Sequence, residues 1–233
     1  MSPLAYRPSE ADRRPLASRS WRVFGVLSHW LARRGVSANA ISLGGMAAGG
    51  LAGVAFALTG HVAAPALAWM AGAALVQARL MANLLDGMVA IESGRASRLG
   101  ELFNEVPDRV SDAATLIGLG HAVGGVPWLG GLAAVLALFV AYVRSAARNA
   151  GAPQDYSGPM AKQQRMFVVT VTALVCAAMP AGRSDSLFGL GVGLPAIALG
   201  VITAGCVVTA LRRLARAGRF LMREAAEPRE ATS

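Results

Sequence analysis

The chain is built from long apolar runs separated by short polar stretches, and nothing else in it constrains the fold as strongly. A helical run of about 20 apolar residues matches the hydrocarbon thickness of a bilayer. Lipid offers no partner to backbone N–H and C=O groups, so such runs must be helical. Six runs qualify: Ile41–Leu58, Pro65–Leu85, Asn104–Val123, Trp128–Val143, Met166–Ala181 and Leu187–Leu211. Ahead of them, Trp21, Phe24, Val26, Leu27, Trp30 and Leu31 are interrupted by Arg22, Ser28 and His29. That mixture suits an amphipathic helix lying at the membrane surface, where tryptophan is favoured. The expected fold class is an all-α integral membrane protein with six transmembrane helices plus an N-terminal amphipathic interfacial helix. Residues 1–20 are expected to be a flexible cytoplasmic arm, 21–36 the interfacial helix, 37–220 the six-helix transmembrane domain and 221–233 a cytoplasmic tail.

The charges set the orientation. Only 15% of residues are charged, against roughly 25% in ordinary soluble domains. The net charge is nevertheless +9, and the basic residues flank the apolar runs. Arg7, Arg13, Arg14, Arg19, Arg22, Arg33 and Arg34 precede the first run, and Arg95 and Arg98 follow the second. Arg144, Arg148, Lys162 and Arg165 lie between the fourth and fifth, and Arg212, Arg213, Arg216, Arg219 and Arg223 follow the sixth. The alternate connections, at His61, His121 and Arg183–Ser186, are nearly free of them. Basic residues stay on the cytoplasmic side. Both termini are therefore expected to be cytoplasmic, with the protein integral to a bacterial-type inner or plasma membrane. The basic charge is matched to anionic membrane lipids, and no nucleic-acid motif accompanies it. Cys176 and Cys206 both lie inside apolar runs, without the spacing of a disulfide framework or a metal site.

The chemistry concentrates between the second and third runs. Asn83, Asp86 and Ala90 are three and four residues apart, so on a helix they share one face. Gly100, Asn104, Asp108 and Asp112 repeat every four and share a face of the next helix. A close pairing of the two helices would bring Asp86 and Asp108 together with two asparagine carbonyls. Such an oxygen-rich pocket suits a hard divalent cation, Mg²⁺ or Mn²⁺. Gly87, Ala90 and Gly100 would leave room for a ligand against the backbone. Ionisable residues at membrane depth are costly and point to function.

The spacing Asn83-x-x-Asp86-Gly87-x-x-Ala90-Ile91, the eight residues Glu92 to Leu99, then Gly100-x-x-x-Asn104-x-x-x-Asp108, resembles the signature of the CDP-alcohol phosphatidyltransferases. Asparagine stands at two of that signature's four aspartate positions and isoleucine at its arginine position. The resemblance implies transfer of a phosphatidyl or related group from a CDP-linked lipid, such as CDP-diacylglycerol, to an alcohol acceptor with release of CMP. It implies that Asn83, Asp86, Asn104 and Asp108 hold Mg²⁺ or Mn²⁺, with Asp108 also the catalytic base. It further implies that Gly87, Ala90 and Gly100 line the CDP site, and that the protein is a homodimer. Tyr142-Val-Arg144 and Gly158-x-x-x-Lys162-x-x-Arg165 resemble the segment that holds a phosphorylated acceptor in some members, which marks Arg144, Lys162 and Arg165. Glu92, Glu101, Glu105 and Asp112 are carboxylates that could offset the lost charges. Pro107 is expected to bend the helix beside Asp108. Two other readings stay open: a relative that binds CDP-lipid without turnover, and a small membrane transporter, which the clustering of polar groups at one membrane face disfavours.

Overall fold

The computed structural model describes residues 22–94, 98–179 and 192–226, and among these the chain is entirely helical apart from its connections. The N-terminal arm, Trp21, Arg95, the Arg183–Ser186 connection, the first residues of the sixth run and the last seven residues lie outside that set. Seven helices follow in order: α1 (Arg22–Arg33), α2 (Ala38–Ala57), α3 (Pro65–Glu92), α4 (Arg98–Gly120), α5 (Pro127–Asn149), α6 (Lys162–Ala178) and α7 (Leu194–Ala226). Four are long and apolar enough to cross a membrane: α2 with the short 3₁₀ turn that follows it, α3, α5 and α7. The other two expected spans differ for visible reasons. Helix α4 carries Glu105, Asp108, Arg109 and Asp112 within its first two-thirds, and α6 has only 17 residues.

The helix boundaries follow local chemistry. Ser37 caps α2, its hydroxyl accepting from the Ala40 N–H at 3.2 Å. Prolines open α3 and α5, where a missing N–H costs nothing. Helix α3 runs past the expected end at Leu85 to Glu92, because no breaker intervenes before Gly94 turns the chain at φ +64°. Helix α4 correspondingly starts at Arg98, six residues before the expected start, and continues through Pro107. Helix α7 stays helical to Ala226, into the stretch expected as a tail.

Helix α2 lies against both α3 and α4, and glycine makes the approach possible. A Cβ on Gly53 would sit 2.3 Å from the Ala114 carbonyl oxygen, and one on Gly118 would sit 2.1 Å from the Gly53 oxygen. Small residues let membrane helices close to backbone contact, where dispersion acts over many atoms. Phe56, Trp69, Val76, Leu116, Leu119, Met166, Val169, Leu199 and Ile202 fill the centre of the bundle. Large apolar side chains such as Leu51, Val54, Leu67, Trp128, Val135, Phe167 and Val201 face outward, the arrangement lipid requires. Helix α1 leaves Val23, Val26 and Trp30 exposed and docks on the end of α3, where His29 Nδ1 lies 2.6 Å from Glu92 Oε1. His29 thus has a partner that its isolation in the sequence did not suggest.

Candidate active site

The polar interior gathers at one end of the bundle, where α2, α4 and α6 begin and α3, α5 and α7 finish. On α3, Arg79, Asn83 and Asp86 follow one another on a single face, each within two turns of the next. On α4, Asn104, Asp108, Ser111 and Asp112 do the same. The α2 contact presses these faces together, and a connected set of hydrogen bonds results.

Asp86 is buried. Its Oδ2 accepts the Ser42 hydroxyl at 2.7 Å, and its Oδ1 accepts the Gly87 N–H at 2.6 Å and the Asn104 amide at 3.4 Å. The Asn83 amide donates to Asn104 Oδ1 at 2.9 Å. The Lys162 ammonium, from the first residue of α6, donates to Asn83 Oδ1 at 2.6 Å and to Asp108 Oδ2 at 2.5 Å. Arg79 approaches Asp108 from the other side. Its Nη2 donates to Asp108 Oδ1 at 3.0 Å and to the Asp108 carbonyl at 2.9 Å. The same guanidinium reaches Ser111 Oγ at 2.8 Å and lies 2.7 Å from Asp112 Oδ1. Arg165 closes the set, donating to Asp112 Oδ2 at 3.0 Å and to the Met160 carbonyl at 2.9 Å. Arg79, Asp112 and Arg165 are each about 2% exposed or less. Charges this deep persist only when paired and hydrogen-bonded.

A second feature lies beside this pocket. The end of α5, the loop after it and the end of α7 border a half-open cavity of about 260 Å³ lined by Arg144, Ala147, Ala152, Pro153, Gln154, Asp155, Arg213, Arg216, Ala217 and Phe220. Arg213 is anchored by the Ser157 and Val140 carbonyls, both at 3.1 Å. Arg216 pairs with Asp155 Oδ2 at 3.0 Å and with the Ser157 hydroxyl. Burial pushes Asp155 upward, but the Ser157 hydroxyl and N–H and the Arg216 guanidinium outweigh it and hold the carboxyl below its ordinary range. Arg144 joins the two regions: it pairs with Glu105 of α4 and its guanidinium lies 5.0 Å over the Tyr156 ring. Three guanidinium groups around one small volume suit an anion.

Residues 35–211 match the CDP-alcohol phosphatidyltransferase family. The chain belongs to that family. It is 29% identical over 218 residues to the phosphatidylinositol phosphate synthase of Streptomyces avermitilis, covering 91% of this chain and 83% of that one. It is also 28% identical to the inner membrane protein YnbA of Escherichia coli K12, covering 65% of this chain and 73% of that one. Among solved structures, it shares the fold of the phosphatidylinositol phosphate synthase PgsA1 of Mycobacterium tuberculosis. The manganese and citrate complex superposes with a TM-score of 0.66 at 20% identity, over 83% of this chain and 88% of that one. The CDP-DAG complex gives 0.65 at 21% identity, over 84% and 94%. The phosphotransfer read from the motif, from a CDP-linked lipid to an alcohol in phospholipid biosynthesis, is therefore the chemistry of this chain's own family.

The CDP-alcohol phosphatidyltransferase motif comes together as its spacing predicts. Asn83, Asp86, Asn104 and Asp108 join one network, and Gly87, Ala90 and Gly100 are all partly accessible beside it. Their oxygens are hard donors, the type Mg²⁺ and Mn²⁺ take. Only two of the four are charged, and among the described residues no cluster of three or more carboxylate, imidazole or thiol groups forms a metal set. The donor set is thus two carboxylates and two amide oxygens. Arg144, Lys162 and Arg165, grouped by the sequence as an acceptor-phosphate set, do not meet at one point. Arg144 lines the cavity, Lys162 sits in the motif pocket, and Arg165 is buried on Asp112. Asp112 is committed to two arginines, and Glu105 pairs with Arg109 and Arg144, so neither joins Asp86 and Asp108. Sequence reasoning passed over Arg79, Ser42, Arg213 and Arg216 as site residues. Arg79 had a signal: a lone arginine in an apolar run, one turn before Asn83. The other three had none, because only tertiary packing brings them to the site.

Proposed function

We propose that this phosphatidyltransferase uses CDP-diacylglycerol as donor and a phosphorylated alcohol as acceptor. The observation that carries the proposal is the adjacency of two complementary features: the motif pocket on α3 and α4, and the cavity ringed by Arg144, Arg213 and Arg216. The likeness to phosphatidylinositol phosphate synthases supports an acceptor that bears a phosphate. In this reading the CDP moiety lies along Gly87, Ala90 and Gly100, and the acceptor phosphate lies among the three arginines. Asp86 and Asp108, with the amide oxygens of Asn83 and Asn104, would hold Mg²⁺ or Mn²⁺. When bound, that ion neutralises the diphosphate and stabilises charge developing on it. Asp108 takes the proton of the acceptor hydroxyl, whose oxygen attacks the β-phosphorus. The bond from that phosphorus to the bridging oxygen breaks, and CMP leaves with the electron pair.

The same reading places six spans in the bilayer, with α4 and α6 as the two shorter or more polar ones. It places α1 along the membrane surface and puts both termini and the site on the cytoplasmic side, where the arginines gather. Family resemblance supports a homodimer. Incubating the purified protein with CDP-diacylglycerol, Mn²⁺ and paired phosphorylated and unphosphorylated polyols tests the reading. CMP release only with phosphorylated acceptors is the expected result, and release with serine or unphosphorylated inositol alone would refute it. A second reading has one observation in its favour: both Asp108 carboxylate oxygens are already paired with cations. In that reading the chain binds CDP-lipid without turnover. Saturable CDP-diacylglycerol binding with no CMP from any acceptor would select it.

A further inference from the structure

The charged groups that meet at the motif count as many cations as carboxylates. Asp86, Asp108 and Asp112 are matched by Arg79, Lys162 and Arg165. Aspartate at positions 83 and 104 would leave two uncompensated negative charges, the deficit one divalent ion corrects. Asparagine removes both. The pocket is therefore neutral with nothing bound, and the group that completes the balance is identifiable. Lys162 is 6% exposed, and its ammonium sits between Asn83 Oδ1 and Asp108 Oδ2, two of the four motif positions. An ammonium has three donors and no acceptor. It can be held there only by the oxygen lone pairs that a hard cation would use. Two cations a few ångströms apart repel strongly where the dielectric is low, so the ammonium and a divalent ion compete for these oxygens.

We propose that Lys162 is a tethered counter-ion of the motif pocket. It holds Asp108 and Asn83 in place when no divalent ion is bound, and such an ion enters only by displacing it. The proposal rests on the metal-pocket reading given above. Two consequences follow. The folded protein does not depend on metal, and removing the ammonium strengthens metal binding. A lysine that served only to pack α6 against α4 would lower stability when lost and leave metal affinity unchanged.

Mn²⁺ titration of the full chain in detergent, read from the electron paramagnetic resonance signal of free Mn²⁺, separates these cases. Wild type is compared with Lys162→Met and Lys162→Gln. Glutamine can still hydrogen-bond to Asp108 but carries no charge, so it serves where methionine fails to fold. Wild type is expected to bind at most one Mn²⁺, and the uncharged variants to bind it at least about tenfold more tightly. Thermal unfolding supplies a second readout: EDTA leaves the wild-type melting temperature unchanged, and Mn²⁺ raises that of the variants more than that of wild type. Equal Mn²⁺ affinity in wild type and Lys162→Gln overturns the tethered-cation role and leaves the metal pocket standing. So does a wild type that loses stability in EDTA. Absence of Mn²⁺ binding in all three proteins overturns the pocket reading itself.

Discussion

Replacing Arg79 with methionine is the most direct test of the buried charge network. The guanidinium serves Asp108, Asp112 and Ser111 at once and is 1% exposed. Methionine keeps an unbranched stem of similar reach, so little cavity forms and the lost interactions are mainly electrostatic. Removing one partner of a buried ion pair costs about 3–5 kcal/mol. Here Asp108 retains Lys162 at 2.5 Å and Asp112 retains Arg165 at 3.0 Å. The cost should therefore fall near the lower end, about 3 kcal/mol. Adding Asp112→Asn removes the carboxylate left short of a partner and should recover about 1–3 kcal/mol relative to additivity. Equilibrium unfolding in mixed detergent and SDS micelles, followed by tryptophan fluorescence, measures this. Trp69 is a suitable probe, buried in the core with its ring centroid 5.5 Å from that of Phe56. A single variant within about 1 kcal/mol of wild type would refute the reasoning, as would strictly additive costs in the double variant.

Further outcomes follow from individual residues. Asp108→Ala should abolish Mn²⁺-dependent CMP release, a fall of at least about 100-fold if Asp108 is the proton acceptor; a radiometric CMP assay checks it. Arg216→Gln should raise the KM for a phosphorylated acceptor about 10-fold or more while leaving the KM for CDP-diacylglycerol unchanged, consistent with loss of a charge-assisted contact to phosphate. Gly118→Ala should destabilise the chain by about 1–3 kcal/mol through overpacking against Gly53, whereas Gly50→Ala, whose Cβ meets nothing within 4 Å, should be neutral or slightly stabilising in the same unfolding assay. Asp155 sits below its ordinary pKa in the folded protein, so its contribution is complete above about pH 4 and is lost as pH falls through the lowered folded value. Asp155→Asn should flatten that part of the acid-unfolding profile.

The motif was legible because helical periodicity alone puts Asn83 with Asp86, and Asn104 with Asp108, whatever the packing around them. The bundle's apolar spans were legible for the same reason: composition over about 20 residues decides them. Helix ends were less so. Leu85 looked like the end of a span because the apolar run stops there, but the backbone has no reason to leave the helix until Gly94. The destinations of the basic residues were least legible. Arg144, Lys162 and Arg165 lie within a short stretch and look interchangeable as phosphate ligands. Yet the end of α5 sends Arg144 to the cavity and to Glu105, while the first turn of α6 sends the other two to Asp108 and Asp112 of α4. Arg213 and Arg216 join the cavity because α7 continues three residues apart on one face, a phase that becomes meaningful only once α7 is packed.

Helix α4 explains why the fold and the site cannot be separated. By hydropathy it is a poor membrane span, because Glu105, Asp108 and Asp112 repeat along one side of it. Beside its glycine contact with α2, three other neighbours deliver cations to that side: α3 gives Arg79, α5 gives Arg144, and α6 gives Lys162 and Arg165. The pairs are spread over three helices, and loss of one cation leaves a carboxylate short of a partner in a medium that solvates it poorly. The same arrangement leaves Asp108 as the member nearest the motif pocket and the more exposed of the two inner aspartates, its side chain 15% exposed against 3% for Asp112. Asp112 is thus the anchor of the network and Asp108 its accessible edge. Asp108 shares Arg79 with Asp112 through Oδ1 and turns Oδ2 to Lys162, so the Lys162 contact is the one that can change without disturbing the Arg79–Asp112–Arg165 pairs.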